Sequence, residues 1–152
     1  MQRYVRPVTP AEVGSAISSL CAEIAPGVTP FLVDVCPNPD EVANECFHVV
    51  RRQVEAVGGE RIIGWSIWEL PSVFVEAEFH SVWRSSDGRY IDLTPKIAAT
   101  ARILFLPDPV RTYEGRPLNN VRRALTQEPV LLEWFDALEA KYELMNRSGR
   151  AF

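Results

Sequence analysis

The stretch VFVEAEFHSVWRSSDGRYIDL, residues 73–93, decides the fold of this chain. Its first half is rich in β-branched and aromatic residues and predicts a long strand from Val73 to Arg84. Ser85-Ser86-Asp87-Gly88 is a hairpin signal, so residues 89–93 are expected to return antiparallel to that strand. Side chains alternate across a strand, which puts His80 on one face together with Phe74, Glu76, Glu78 and Val82.

Further strands are predicted on both sides of this hairpin. Residues 61–68 and 102–106 are rich in strand-forming residues, and the second segment is closed by Pro107-Asp108-Pro109. Phe31 to Val35 is interpreted as a short strand or an extended lead-in. The stretch around residues 113–116 is expected to be irregular.

Three helices complete the prediction. Thr9-Pro10-Ala11-Glu12 combines a capping hydroxyl, a proline and a carboxylate, and it predicts a helix that runs to about Ile24. Asn38-Pro39-Asp40-Glu41 repeats this signal and predicts a second helix that contains Cys46 and ends at Gly58-Gly59. A last helix follows Pro129, and residues 146–152 are expected to form a frayed tail.

Together these elements predict one α+β domain over residues 1–152. Its antiparallel sheet has about four to five strands and is flanked by the N-terminal helices and the C-terminal helix. Apolar residues make up 47% and charged residues 24% of the 152 residues, a composition typical of a globular domain that folds on its own.

Charge and cysteine content exclude several classes of partner. The formal net charge of -4 leaves no excess of Lys and Arg for a phosphate backbone, so nucleic acid is not expected as a partner. No apolar run approaches the length of a membrane span or a signal peptide, so no membrane partner is expected. The three cysteines form no Cys-x-x-Cys pair, which favours a reducing compartment and a cytoplasmic location over a disulfide framework.

A candidate catalytic set consists of Cys46, His80 and Asp92. A nucleophilic thiol needs a base for its proton and a third group that orients the base. His48 is two residues from Cys46 and points to a different helix face, so His80 is the better partner. Asp92 joins the face of His80 only if the hairpin loop has three residues, which sets it opposite Val82; a two-residue loop sets it opposite Trp83.

A cysteine on a helix, then Phe79-His80-Ser81-Val82-Trp83 on a strand, then Tyr90-Ile91-Asp92 across a turn resembles the papain-like cysteine superfamily in its transglutaminase and arylamine acetyltransferase branches. The shared features are the order Cys, His, Asp and the short spacing from His to Asp, over roughly residues 40–95. The resemblance implies a thiolate from Cys46, a general base from His80 and an orienting carboxylate from Asp92, in acyl transfer or amide hydrolysis without a cofactor.

Two further sequence features bear on this resemblance. In that superfamily the nucleophile lies in the first turn of its helix, whereas a helix capped by Asn38 puts Cys46 two turns inside. The resemblance therefore requires a helix that restarts near Asn44, a good capping residue. The segments GWSIWE (residues 64–69) and EAEFHSVW (residues 76–83) are also similar to small bacterial proteins that have no assigned activity.

Other residues are candidates for positioning the substrate. Asn44 and the first amides of the Cys46 helix are expected to stabilise an oxyanion, and Glu78 shares the strand face of His80. Trp65 is a candidate for lining a cleft, with the alternative that it belongs to the core. Glu69 ends an aromatic strand beside Pro71 and is expected at the rim of the site.

Each of these features also has a structural interpretation. Cys46 is in step with the valines of its helix and fits a packed core thiol. The set Glu76, Glu78, His80 and Asp92 also permits a metal site, although the second histidine usual in such sites is missing.

The preferred function is a cysteine-dependent hydrolase or acyltransferase that acts on an amide or thioester of a small molecule or peptide, as a peptidase, deamidase or transglutaminase-like enzyme. The alternative is a non-catalytic regulatory domain that binds a protein or ligand on a Trp-rich sheet face. A metal-dependent hydrolase is a third possibility.

Overall fold

The computed structural model describes residues 5–148 of the chain. Within this range the elements in chain order are α1 (Ser15–Ile24), β1 (Phe31–Val35), α2 (Cys46–Val57), β2 (Glu60–Leu70), β3 (Phe74–Arg84), β4 (Tyr90–Asp92), β5 (Arg102–Pro107), β6 (Val121–Ala124) and α3 (Pro129–Ser148). The α+β class predicted from the sequence is confirmed.

The strands form one mixed sheet that closes into a barrel. Their order is β2-β5-β1-β4-β3-β6, and β2 also pairs with β3 along its full length, which joins the first five strands into a ring. β6 adds to the edge of β3 outside this ring. The prediction of a purely antiparallel sheet is wrong for one pair, because β1 and β4 run parallel.

The two faces of the barrel wall have different partners. Inward side chains from the strands pack on one another, and the buried members of this inner cluster are Val33, Val82, Ile103 and Phe105. Outward side chains of β2, β3 and β5 pack against α1 and α2 in a second, larger core. Strand alternation thus gives β3 two buried faces, and His80 lies on the inner one with Val82.

Gly64 allows a close approach between β2 and β5. A Cβ at this position would lie 2.2 Å from the backbone oxygen of Leu106 and 2.7 Å from the Phe105 ring. Gly64 also lies directly opposite His80 in the β2–β3 register. A glycine in the middle of β2 here is explained by the close approach of β5.

The predicted start of the first helix is wrong. Val8 forms a bridge with Glu69, and the Thr9 hydroxyl donates to the backbone oxygen of Arg102 at 2.6 Å, so the segment lies extended against the sheet. The helix begins only at Ser15, after Gly14 in the cap position. A contact 93 residues away in sequence has overridden the local capping signal.

The second helix also starts later than the Asn38 signal predicts. Asp40 and Asn44 have positive φ angles of 70° and 67°, a conformation that no helix residue adopts. The chain therefore turns twice before α2 begins at Cys46.

The C-terminal helix extends further than expected. α3 runs through Ser148, so residues 146–148 are helical and not a frayed tail, and residues 149–152 lie outside the described range. Within residues 5–148, no helix has the length and apolar character that crossing a bilayer requires.

Candidate active site

Cys46 occupies the first residue of α2, and Glu45 precedes it in the cap position. The helix thus starts at Cys46 itself, the first-turn position that the resemblance implies for a nucleophile, but Glu45 and not Asn44 is the capping residue. The N-terminal end of a helix carries the positive end of the helix dipole, and a thiol in the first turn is therefore stabilised as a thiolate. Only 7% of Cys46 is exposed, so its electrostatic surroundings are mostly protein.

The hairpin has the register that brings Asp92 to His80. Trp83 pairs with Ile91, which places Asp92 level with Val82, and the Ser85 amide donates to the Arg89 oxygen at 2.8 Å to leave a three-residue loop. His80 Nε2 lies 3.1 Å from Asp92 Oδ1. Both side chains are buried, with 3% and 0% exposed.

This contact is close but not aligned as a hydrogen bond. Among the described residues, His80 Nε2 has no partner of hydrogen-bond geometry, although the Asp92 oxygen is within ion-pair distance. The attraction between the ring and the carboxylate is therefore mainly one of charge. Catalytic hydrogen bonds are often loose without substrate and tighten in the reactive complex.

The Cys46 thiol contacts the same imidazole. Burial raises the pKa of Cys46. The charge and hydrogen bonding of His80 and the backbone N–H of Ser81 outweigh burial, so the pKa of Cys46 lies below its ordinary value. His80 also loses solvation by burial, yet Asp92 and Cys46 raise its pKa to about 10. The two opposite shifts favour a thiolate–imidazolium pair.

Asp92 is held ionised by two cations. Burial raises the pKa of its carboxyl, but His80 and Lys96 outweigh burial and bring the pKa to about 2. Lys96 Nζ lies 2.5 Å from Oδ2, and the Thr94 amide donates to Oδ1 at 3.1 Å. Lys96 was not predicted from the sequence, because this residue follows the strand in a loop, where no periodicity assigns a direction to its side chain.

Ser81 connects the strand of His80 to the start of α2. Its hydroxyl donates to the backbone oxygen of Cys46 at 3.1 Å, and both residues are buried. Strand alternation correctly placed Ser81 on the face opposite His80, but the helix that lies on that face was not known from sequence. This hydrogen bond joins the start of α2 to β3.

Two backbone amides are free beside the thiol. The first intrahelical bonds of α2 come from the amides of His48 and Val49, which donate to the Glu45 oxygen at 3.0 and 2.9 Å. Within residues 5–148, the amides of Cys46 and Phe47 donate to no acceptor. Unpaired amides at this position are suited to a developing oxyanion.

The other expected positioning residues fall in three different places. Asn44 is exposed, and within the described range its side chain makes no hydrogen bond. Trp65 belongs to the outer core, with 2% exposed and Nε1 donating to Asp108 at 2.9 Å, so a cleft-lining role is wrong. Glu69 lies five residues along β2 from Gly64, about 16 Å from the level of His80. The predicted place of Glu69 at the rim of the site is therefore also wrong.

Glu78 is next to the catalytic candidates. It lies on the inner face of β3, two residues before His80, and it is half-buried. Burial raises the pKa of Glu78, while His80 and Lys96 oppose that increase. Glu76, two residues further along the same face, is paired with Arg122 at 2.6 Å.

Two alternative interpretations concern a metal site and a Trp-rich binding face. Within residues 5–148, no three His, Cys, Asp or Glu side chains converge as metal ligands. The tryptophans of the predicted Trp-rich sheet face differ in their surroundings, since Trp65 is buried, Trp68 is half-buried against the inner cluster and half-buried Trp83 donates from Nε1 to the Gly58 oxygen at 2.9 Å.

Comparison with known proteins adds no further constraint. No family model matches the chain, and no curated protein or solved structure matches it either. The functional evidence is therefore the geometry of Cys46, His80 and Asp92 and of the groups around them.

Proposed function

We propose that this chain is a cysteine-dependent hydrolase or acyltransferase that acts on an amide or thioester. Cys46 is the nucleophile, His80 transfers the proton and Asp92 orients and stabilises the His80 ring. The observation that carries the proposal is the contact of a helix-start thiol with an imidazole that lies 3.1 Å from a buried carboxylate. This combination provides the thiolate, the base and the orienting group that thiol catalysis needs.

The first half of the reaction forms an acyl-enzyme. The Cys46 thiolate attacks the carbonyl carbon of the substrate, and the negative charge moves to the carbonyl oxygen. That oxygen accepts hydrogen bonds from the free amides of Cys46 and Phe47. The His80 imidazolium then gives its proton to the leaving nitrogen or sulfur as the carbon–heteroatom bond breaks, which leaves a thioester on Cys46 and a neutral imidazole.

The second half of the reaction regenerates the thiolate. Neutral His80 removes a proton from a water molecule or from an amine acceptor, which attacks the thioester carbonyl. The carbon–sulfur bond breaks, the acyl product leaves, and the thiolate–imidazolium pair is restored. Water as acceptor makes the enzyme a peptidase or deamidase, and an amine makes it a transglutaminase-like acyltransferase.

The arrangement supports a place in the papain-like superfamily. The nucleophile starts α2, the base lies on β3 and the carboxylate ends β4, which is the order that the sequence resemblance implies. Cys21, Cys36 and Cys46 are all free thiols, and a thiol nucleophile requires its reduced state. We therefore assign the protein to the reducing cytoplasm.

The test is the pH dependence of alkylation at each cysteine. Iodoacetamide is applied to the native protein, and modification of Cys21, Cys36 and Cys46 is quantified by mass spectrometry, together with turnover of p-nitrophenyl acetate as a generic acyl donor. We expect Cys46 to react fastest near neutral pH and turnover to disappear in Cys46→Ser. Protection of Cys46 until the protein unfolds would overturn the proposal.

The second histidine provides a matched control. His48 also lies in α2 but is exposed, and its ring contacts Tyr113 rather than the thiol. His48→Ala should leave the alkylation profile of Cys46 unchanged. If Cys46 loses its reactivity in His48→Ala but keeps it in His80→Ala, the base is His48 and not His80.

A further inference from the structure

The charged side chains of the site pair off with one exception. The Cys46 thiolate is matched by the His80 imidazolium, and Asp92 by Lys96 at 2.5 Å. Glu76 is matched by Arg122 at 2.6 Å. Glu78 forms no ion pair within the described part of the chain. Among the described residues of this inner wall, Glu78 is therefore the carboxylate that has no ion-pair partner.

A second group without a partner lies directly across from this carboxylate. Ser66 on β2 lies opposite Glu78 in the β2–β3 register. The next pair on the same face, two residues along each strand, is Gly64 and His80. Ser66 is completely buried, and its hydroxyl has no hydrogen-bond partner among the described residues. Buried polar groups are normally hydrogen-bonded, so an orphan hydroxyl beside a lone carboxylate indicates that a ligand completes the pair.

We infer that Glu78 and Ser66 bind a positively charged group of the substrate next to the Cys46 thiol. This inference rests on the proposed thiol chemistry and names the class of substrate for the same site. A protonated amine offers three donors and no acceptor, which matches one carboxylate and one hydroxyl oxygen. The half-buried position of Glu78 leaves part of its side chain open to an incoming substrate, and the buried Ser66 lies opposite it on the same inner face.

The same arrangement disfavours anionic substrates. The Glu78 carboxylate acts electrostatically on the Cys46 thiol, and partial burial limits the screening of that charge by salt. A negatively charged group brought to the thiol meets both the thiolate and this unpaired carboxylate. Selectivity for positive charge is therefore expected even with reagents much smaller than the substrate.

The experiment compares three alkylating reagents of similar size at Cys46, namely cationic 2-bromoethylamine, neutral iodoacetamide and anionic iodoacetate. For each charged reagent, the alkylation rate at Cys46 is divided by the rate with iodoacetamide, which cancels any change in the Cys46 pKa. The ratio is then divided by the same ratio measured on a free thiol in solution. We expect Glu78→Gln to lower the cation-to-anion preference by about tenfold. Glu76→Gln makes the same charge change two residues away and should leave the preference within about twofold.

Each outcome decides between the two proposals. An equal cation-to-anion preference in the wild type and in Glu78→Gln, with Cys46 still reactive, overturns the Glu78 inference and leaves the thiol chemistry standing. A Cys46 that reacts with none of the reagents overturns both. If Glu78→Gln fails to fold, Glu78→Asp takes its place, because it keeps the charge and should retain most of the cation-to-anion preference. A preference equal to that of a free thiol in Glu78→Asp would also overturn the inference.

Turnover measurements then show which substrate carries the cation. With p-nitrophenyl esters of cationic and neutral acyl groups, a KM raised by Glu78→Gln for the cationic ester alone places the positive group on the acyl donor. If Glu78→Gln instead lowers the ratio of amide product to acid product in the presence of a primary amine and leaves the ester KM unchanged, the positive group lies on the acceptor. No change in either quantity contradicts the inference.

Discussion

Cys21 and Cys46 are both buried in helices that pack on the same side of the sheet, yet the pKa values of their thiols are shifted in opposite directions. Cys21 lies within α1 among apolar side chains, and burial raises its pKa to about 11. Cys46 starts α2, and the neighbouring His80 brings its pKa below the ordinary value despite burial. Burial alone favours the neutral thiol, whereas a charged imidazole beside a buried thiol at a helix start favours the thiolate.

The largest effect on this contrast is expected from His80→Ala. Without the imidazole, burial is left as the main influence on the Cys46 pKa, which should rise so that little thiolate is present at neutral pH. Loss of a general base typically costs about 10²–10⁴-fold in rate. We expect a fall of that size in kcat/KM for p-nitrophenyl acetate and a shift of the Cys46 alkylation profile to higher pH.

Cys21 provides the internal control in the same spectra. Its alkylation profile should be identical in the wild type and in His80→Ala, because its raised pKa is caused by burial alone. A parallel shift at Cys21 would mean that the variant has loosened the fold. An unchanged profile at Cys46 would show that the imidazole does not set its pKa.

A smaller effect is expected from Asp92→Asn. The amide keeps the size of the side chain but removes the charge that raises the His80 pKa, so the imidazolium and its stabilisation of the thiolate are lost at lower pH than in the wild type. We expect kcat/KM to fall by about 10²-fold. The high-pH limb of the activity profile should also move to lower pH, and a uniform loss without that shift would contradict an orienting and charge-stabilising role for Asp92.

The hairpin behind this contrast was predictable from sequence, but its surroundings were not. Alternation in residues 73–84 and the Asp87-Gly88 turn predict the strand pair but leave two registers open, and the structure has the three-residue loop that brings Asp92 beside His80. The start of α2 depends on left-handed conformations at Asp40 and Asn44, which no capping rule predicts.

The remaining failures also depend on contacts between distant residues. Thr9 bonds to Arg102 instead of capping α1, and β6 is a short edge strand held to β3 by Arg122 and Glu76. Lys96 reaches Asp92 from a loop. Local propensity carries no information on such contacts, because each partner is selected only once the sheet has closed.

Serine substitutions at the two cysteines should separate stability from chemistry. Cys21→Ser puts a hydroxyl among apolar neighbours and is expected to lower the free energy of unfolding by about 1–3 kcal/mol. Cys46→Ser places the hydroxyl beside His80 and should cost less than about 1 kcal/mol while it abolishes turnover. Urea unfolding at pH 7 with parallel assays measures both, and a larger stability loss at Cys46 than at Cys21 would indicate a core thiol at both positions.

Ser81→Ala should have the smallest effect and tests how rigidly the two halves of the site are joined. The substitution removes the hydrogen bond from the Ser81 hydroxyl to the Cys46 oxygen but keeps the backbone N–H that contacts the sulfur. We expect a loss of about 0.5–1.5 kcal/mol in unfolding free energy. Iodoacetamide alkylation of Cys46 should change by less than about threefold, since the helix start and His80 remain to set the pKa. A tenfold loss of reactivity with unchanged stability would mean that the Ser81 hydroxyl, rather than the packing of α2 on β3, holds the thiol against the imidazole.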